Sequence, residues 1–152
     1  MADTYGVLGS DVAAELPGLY PAGFDETSLP SADQVATMIT TADTIITLHV
    51  RSCVGTTPAQ TDVAAPIARR FVIDWVKAQV VRIAYAGNDA AQVAAAAQPY
   101  ADLAKESRDA ITAMGAQAEG DGTPAPRLTG QMSTRDLVLD DCDLDPAQRG
   151  RF

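Results

Sequence analysis

Aromatic residues and lysine are scarce in this sequence. Aromatics form 5% of its 152 residues, with a single Trp, so the core has to be built from aliphatic side chains and alanine. Two Lys and nine Arg stand against 20 acids, a net charge of −9, which argues against DNA binding by phosphate neutralisation. Apolar runs are all shorter than the roughly 18 residues that a membrane helix needs, so no membrane contact is expected.

Histidine is scarcer still, and this restricts catalysis and metal binding. His49 is the only histidine, so neither a Ser-His-Asp triad nor a zinc site with several His can be built. Cys53 stands four residues away, but two ligands make no site, and we interpret His49 as a structural residue at a helix end. The glycine-rich phosphate motifs of nucleotide-binding proteins are missing. We therefore expect no catalytic residues, no cofactor and no metal, and a protein that is not an enzyme.

Two further features have simple interpretations. Asp141, Asp143 and Asp145 match the opening of a calcium loop, but Pro146 and Phe152 occupy the positions that need Gly and a bidentate acid. We interpret this stretch as a solvated acidic tail. The first residues lack the basic and apolar regions of a signal peptide, so synthesis in the cytoplasm is expected, with Cys53 and Cys142 as free thiols.

Apolar periodicity predicts a long helical hairpin between residues 63 and 114. The first helix runs from about Val63 to Ala86, with Pro66 in its first turn, and the second runs from about Asp89 to Met114. Pro99 should kink or restart the second helix, and Gly115 should end it. A joint of two residues, Gly87 and Asn88, would make the two helices antiparallel.

A third helix is predicted from Ser31 to about Val50. Ser31 and Gln34 form a capping box, in which each side chain bonds the other residue's main-chain amide. Gly55 and Pro58 mark the loop that follows. The core of the three helices is predicted to contain Ile39, Ile46, Val72, Trp75, Val76, Val80, Ile83, Tyr100, Leu103 and Ile111.

The two ends of the chain differ from this body. Residues 1–30 hold five acids and no base, and Gly and Pro interrupt them, although a short helix after Ser10-Asp11 is possible. This segment is too apolar for a free tail, so we expect it to pack on the body or on a neighbouring subunit.

Residues 31–115 hold eight acids and seven bases, and the basic pair Arg69-Arg70 is interpreted as a solvated face or a subunit contact rather than a phosphate site.

Residues 116–152 begin with a linker rich in Gly, Ala and Pro. The one apolar run beyond it is short and β-prone, without a partner strand in this sequence, so it is predicted to add a strand to another protein's sheet. A disordered tail is the alternative. The predicted docking segment consists of Arg135, Asp136, Leu137, Val138, Leu139, Asp140 and Asp141. The whole is an all-α protein: a small bundle of three main helices (31–115), an irregular N-terminal arm (1–30) and an extended C-terminal arm (116–152).

This layout resembles the head-to-tail adaptor, or head-completion connector, proteins of long-tailed bacteriophages. The resemblance is carried by the opening Leu29-Pro-Ser-Ala-Asp-Gln-Val35, the helix end Ile45-Ile-Thr-Leu-His-Val-Arg51, the start Ala68-Arg-Arg70 and the stretch Tyr100-Ala-Asp-Leu103. It covers about residues 5–115 and rests on a pattern of helices and loop lengths rather than on a signature motif.

The resemblance implies a structural virion protein at the head–tail interface. Its expected partners are eleven further copies in a twelve-subunit ring, the portal protein and a stopper or tail-completion protein, with DNA passing through the lumen as non-specific cargo. Two alternatives remain open: an acidic helical regulatory protein that masks a basic partner, and a different virion connector component such as a stopper or tail terminator.

Overall fold

A computed structural model describes residues 4–120, and residues 1–3 and 121–152 lie outside the described part. Four helices follow one another: α1 (Gly9–Ala14), α2 (Ala32–Cys53), α3 (Pro58–Ala84) and α4 (Ala90–Gly120). The prediction of an all-α fold with three main helices is confirmed, and residues 4–120 contain no strand. The described part of the N-terminal arm is irregular apart from the six-residue α1.

The start of α2 follows directly from its sequence. Ser31 is the N-cap; its hydroxyl accepts from the Gln34 amide at 3.4 Å, and the Gln34 side chain accepts from the Ser31 amide at 3.0 Å. The predicted capping box is therefore present. The helix ends at Cys53, three residues beyond the predicted end at Val50, and the chain then turns at Gly55 with a φ of +125°.

The helix α3 begins five residues earlier than predicted, at Pro58 instead of Val63. Half of a second capping box explains this: Gln60 Oε1 accepts from the Thr57 amide at 3.3 Å and from the Thr57 hydroxyl at 2.6 Å. Pro58 occupies the first turn, where its missing N–H costs nothing. Pro66 consequently lies inside the helix, and the prediction that it opens the helix is wrong.

The hairpin of α3 and α4 is the most extensive helix pairing among the described residues. Its joint comprises residues 85–89, five residues instead of the two predicted, which is still within the range for antiparallel helices. Pro99 does not restart the second helix, because α4 continues through it as one element.

Gly115 was predicted to end the second helix, and this prediction is wrong. The helix α4 continues through Gly115 to Gly120, so the boundary predicted between body and linker at 115/116 falls inside a helix. A Cβ at Gly115 would collide with the main-chain carbonyl of Cys53, at the end of α2. Gly115 therefore allows α4 to pack closely against the end of α2, and it does not end the helix.

The core is aliphatic, as the composition predicted. Of the predicted core residues, Ile46, Val72, Val76, Val80 and Ile111 are fully buried and Ile39 is 3% exposed. Trp75 and Tyr100 are partly buried against the cluster, and Ile83 is half-buried. The prediction for Leu103 is wrong: it is 39% exposed, because the buried stripe of α4 runs through Ala97, Ala104 and Ile111 and leaves Leu103 at its edge.

Candidate interaction surfaces

The predicted docking segment lies outside the described residues. Arg135, Asp136, Leu137, Val138, Leu139, Asp140 and Asp141 all fall in the stretch 121–152, as do Asp143 and Asp145. The surfaces described below therefore belong to the helical body and to the N-terminal arm, residues 4–30.

His49 holds α2 against α4. It is 3% exposed, and its Nε2 lies 3.0 Å from the Thr112 hydroxyl and 3.3 Å from the Arg108 carbonyl oxygen. These contacts agree with the structural role predicted for this residue. Cys53, one turn further on, is disulfide-bonded, so the prediction of a free thiol there is wrong. Within residues 4–120, no group of three or more His, Cys, Asp or Glu side chains is placed to hold a metal ion.

A buried ionic cluster stands on the inner face of α3. Asp74 is fully buried and Lys77 is 4% exposed. Arg70 Nε donates to Asp74 Oδ2 at 2.7 Å, and Lys77 Nζ donates to Asp74 Oδ1 at 3.1 Å. Two bases thus satisfy one buried carboxylate, which leaves a positive charge to be balanced from elsewhere.

The N-terminal arm supplies that balance. Glu15, just after α1, accepts from Arg70 Nη1 and from Lys77 Nζ, both at 2.6 Å. Burial alone would raise the pKa of Glu15, but the hydrogen bonds and charges of Lys77 and Arg70 outweigh it and hold this pKa below 4.5. The cluster then contains two acids and two bases and is neutral.

Two further contacts extend this cluster. Lys77 Nζ lies 4.6 Å from the centroid of the Tyr100 ring, a cation–π contact that reaches α4. Arg69 Nη2 donates to Asp11 Oδ2 at 2.9 Å. We call the set Asp11, Glu15, Arg69, Arg70, Asp74 and Lys77 the arm cluster. Arg69 and Arg70 were predicted to form a solvated face or a subunit contact; each remains partly exposed, and both also bind the chain's own arm.

Apolar contacts complete the attachment of the arm. Its buried residues join the main hydrophobic core, and the amides of Thr4 and Tyr5 donate to the carboxylate of Asp43 on α2 at 3.2 and 3.3 Å. Of the two outcomes expected for the arm, the structure has it packed on the body. The buried apolar residues of the arm are Val7, Val12, Ala13, Leu16 and Tyr20.

A groove remains open where the arm meets the α3–α4 hairpin. It encloses about 290 Å³. Leu19 and Tyr85 are 36% and 37% exposed at this groove. Its only charged lining group is Glu15, which is already paired within the arm cluster. The groove is lined by Glu15, Leu16, Pro17, Gly18, Leu19, Val81, Tyr85, Ala96 and Tyr100.

The outer face of α2 is exposed and carries no charge between Gln34 and Val50, although the exposed Asp33 and Arg51 lie at its two ends. From Gln34 to Val50, the one ionised residue is Asp43, which is buried under the arm. The threonine hydroxyls on this face donate to carbonyls one turn back, at 2.8 to 3.1 Å, so they add little polarity to the surface. Ile45 and Leu48 are 41% and 44% exposed beside them. We call the set Thr37, Thr40, Thr41, Thr44, Ile45 and Leu48 the threonine face.

Some of these contacts could be predicted from the sequence and others could not. The spacing of Arg70, Asp74 and Lys77 at i, i+4 and i+7 placed them on one face, but their partner Glu15 lies 55 and 62 residues away, which no local pattern can indicate. The role of Thr57 and Gln60 at the start of α3 was not predicted, although the sequence contains the motif Thr-x-x-Gln. Each charged member of the arm cluster faces an opposite charge, an arrangement suited to fastening two elements together.

Comparison of the chain with protein-family models, curated proteins and solved structures finds no match. None of the helices within residues 4–120 is both long enough and apolar enough to cross a membrane.

Proposed function

We propose that this chain is a head-to-tail adaptor, a structural virion protein that forms a ring beneath the portal and joins the DNA-filled head to the stopper or tail. The observation that carries the proposal is the architecture: three main helices in the order and with the loop positions of the adaptor-like sequence pattern, fastened to an ordered N-terminal arm. The twelve-fold ring, the portal and the stopper are partners implied by the same likeness.

The charge of the body supports a role as a DNA conduit. A channel wall that releases DNA should not neutralise phosphates. Within the described part, Arg69, Arg70 and Lys77 are all engaged by carboxylates of the arm cluster. Lys105 is paired with Asp109 as well, so four of the seven bases in residues 31–115 are bound by acids, while Arg51 and Arg82 are exposed.

One argument for a ring has to be revised. The apolar residues of the arm were expected to need a neighbouring subunit to cover them, but the arm buries five of them in its own body. Copies of the chain must therefore meet through other surfaces. The apolar residues still exposed, such as Leu19, Ile45 and Leu48, are the material for such contacts.

The test is to image purified particles that carry this chain with a small tag on its N-terminus. We expect density for many copies, arranged as a ring at the one portal vertex. Particles assembled without the chain should contain packaged heads that have not joined tails.

Two results would overturn the proposal. One is the absence of the chain from finished particles. The other is its recovery as a small oligomer bound to a basic protein, which would favour the acidic regulatory alternative.

A further inference from the structure

We propose that Cys53 and Cys142 form a reversible disulfide within one chain, which ties the predicted docking segment, residues 135–141, to the end of α2 until a thiol reduces the bond. The inference rests on the proposed adaptor function and adds a redox control to its C-terminal arm. Its starting observation is the bonded state of Cys53.

The partner of Cys53 follows from the number of cysteines. The sequence contains two, Cys53 and Cys142, and Cys53 is disulfide-bonded in a structure that consists of a single chain. Residues 4–120 contain no second cysteine, so the other sulfur has to come from the C-terminal arm. Cys142 directly follows the docking segment, and a bond at Cys142 therefore fixes the adjoining end of that segment at α2.

The loop that such a bond closes has a short distance to cover, because α4 passes the end of α2. Gly115 packs against the main chain of Cys53, and α4 ends at Gly120. The helix rises about 1.5 Å per residue, so the C-terminal arm leaves the body within roughly 8 Å of this crossing. Residues 121–141 have to return over that distance, and an extended chain spans about 3.3–3.6 Å per residue. The arm is thus several times longer than the return path requires.

Charge favours the same partner. Arg51, two residues before Cys53, is exposed. Arg108 lies on α4, where its carbonyl oxygen is 3.3 Å from Nε2 of His49, one turn before Cys53. Opposite charges attract over about 8 Å at physiological ionic strength, so these bases draw an acidic segment towards this end of the bundle. Cys142 stands in such a segment, with the acids Asp140, Asp141, Asp143 and Asp145.

The surroundings of Cys53 suit a bond that is broken again. Both ring nitrogens of His49 lie 3.8 Å from Cys53 Sγ, and the imidazole can share the proton of the released thiol. In reduction, the thiolate of a small thiol bonds to Cys142 Sγ, the S–S bond breaks, and Cys53 leaves as a thiolate. A second small thiol then releases Cys142 from the mixed disulfide. The two small thiols become one disulfide, and their two protons end on Cys53 and Cys142.

The bond would block docking because the docking segment adjoins Cys142. Leu139 is three residues from Cys142, which keeps it within about 11 Å of the bonded sulfurs. Strand addition requires the segment to lie along the edge of the partner's sheet with its main-chain groups accessible. With the bond in place, the helical body occupies part of the space that the partner needs. Reduction removes this obstacle.

Peptide mapping of the full chain, oxidised with glutathione disulfide and alkylated, tests the bond. Trypsin should release peptides 52–69 and 136–149, which contain Cys53 and Cys142, as one linked pair that is lighter by two hydrogens than the separate peptides. The intact chain should remain monomeric without reductant, and dithiothreitol should convert both cysteines to alkylated thiols. Two alkylated thiols in the oxidised chain, or a dimer that only reductant dissociates, would overturn the inference.

Pull-down with purified portal tests the control of docking. We expect the oxidised chain to bind portal with an apparent Kd roughly tenfold or more above that of the reduced chain, because the apparent Kd rises as the competent fraction falls. Cys142→Ser is the matched variant: it lacks the bond, lies outside the helical body, and should bind like the reduced parent with and without dithiothreitol.

Two results of the pull-down would overturn the redox control, and they differ in what they say of the adaptor function. Equal binding of the oxidised and reduced parent would remove the control and leave portal docking in place. Absence of binding by either form and by Cys142→Ser would remove portal docking as well, and the peptide map would then show whether the bond exists without it.

Discussion

At the scale of single residues, two neighbouring side chains of the same type can differ completely in their exposure to solvent. Ile45 is 41% exposed and Ile46 is fully buried, although both belong to the same apolar stretch. We expect Ile46→Ala to lower the free energy of unfolding by about 2–5 kcal/mol, because it leaves a cavity in the core. Urea denaturation measures this loss. Ile45→Ala is the control, with an expected change of about 0.5 kcal/mol or less; equal losses would contradict the described packing.

The arm cluster gives a second prediction at this scale. Asp74→Asn keeps the side chain's size but leaves the buried Lys77 with Glu15 as its remaining carboxylate partner. Removing one partner from a buried ion pair costs about 3–5 kcal/mol, so the urea midpoint should fall markedly. Asp109→Asn is the control, because its ion pair with Lys105 is exposed and should leave the midpoint unchanged.

A double variant distinguishes lost charge balance from lost packing. Asp74→Leu combined with Lys77→Met replaces both buried charges by apolar groups of similar size, and should recover much of the stability lost in Asp74→Asn. A double variant less stable than the single one would mean that the ionic cluster itself, not its balance, stabilises the fold.

Residue-level prediction from the sequence succeeded where periodicity was strong. The stripe of α3 placed Val72, Val76 and Val80 in the core, because an amphipathic helix has one buried face. The prediction that Leu103 lies in the core was wrong, because a residue at the edge of an apolar stripe is buried only if a neighbouring element covers it. Glu15 could not be foreseen, because its contacts with Arg70 and Lys77 depend on how the arm folds back.

At the scale of elements, Gly115 shows how tertiary packing overrides a local signal. Glycine often ends helices, and the sequence was interpreted in that way, but here α4 continues because α2 passes too close for any side chain. In an open helix, Gly→Ala stabilises by roughly 1 kcal/mol. We expect Gly115→Ala to do the opposite and lower the thermal midpoint, because α4 and α2 have to move apart.

Gly87 provides the comparison for this experiment. A Cβ at Gly87, in the joint between α3 and α4, would meet nothing within 4 Å. Gly87→Ala should therefore unfold at the parental temperature. A rise of the thermal midpoint in Gly115→Ala would show that the two helices do not cross closely at this point.

The attachment of the arm should depend on pH through Glu15. Because the pKa of Glu15 in the folded chain lies below its ordinary value of 4.5, its stabilisation is complete above that value and is lost as the pH falls through the folded pKa. Glu15→Gln lacks this titration. Between about pH 6 and pH 3, the parent should therefore lose more stability than the variant.

Thermal unfolding of both proteins across this range tests the pH effect. The difference between their midpoints should be largest near neutral pH and should shrink in acid. Glu106→Gln, at an exposed position of α4, should follow the parent at every pH. A constant difference between the parent and Glu15→Gln would contradict ion pairing of the arm to α3.

Elements were predicted well in kind and less well in extent. The capping box of Ser31 and Gln34 located the start of α2, because it is a local motif that needs no tertiary context. The starts and ends of α3 and α4 differed by up to six residues. Thr57 and Gln60 set the start of α3 ahead of Pro66, whereas close packing against α2 carries α4 past Gly115. The sequence left open whether the N-terminal arm packs on the body or on a neighbouring subunit, because its partner surface on α3 exists only in the folded chain.

At the scale of the whole molecule, the C-terminal arm remains the predicted link to the portal. Its segment from Arg135 to Leu139 is β-prone, with Leu137 and Leu139 on one side of an extended strand and Val138 on the other. Strand addition to a portal sheet would use main-chain hydrogen bonds, and Asp140 and Asp141 would meet basic portal residues. A single arm should bind weakly, while a ring of arms gains through effective concentration.

Deletion of residues 127–152 tests this link. The body should still fold, because its helices share one hydrophobic core that extends from Val7 to Ile111, but the truncated chain should fail to join heads to tails. Full-length Cys142→Ser is the control, since truncation also removes that cysteine. Val138→Pro alone should weaken docking by removing a main-chain donor, whereas Val138→Thr should not. Pull-down with portal at rising salt measures both effects. If the truncated chain binds portals at full strength, the docking surface has to lie on the helical body.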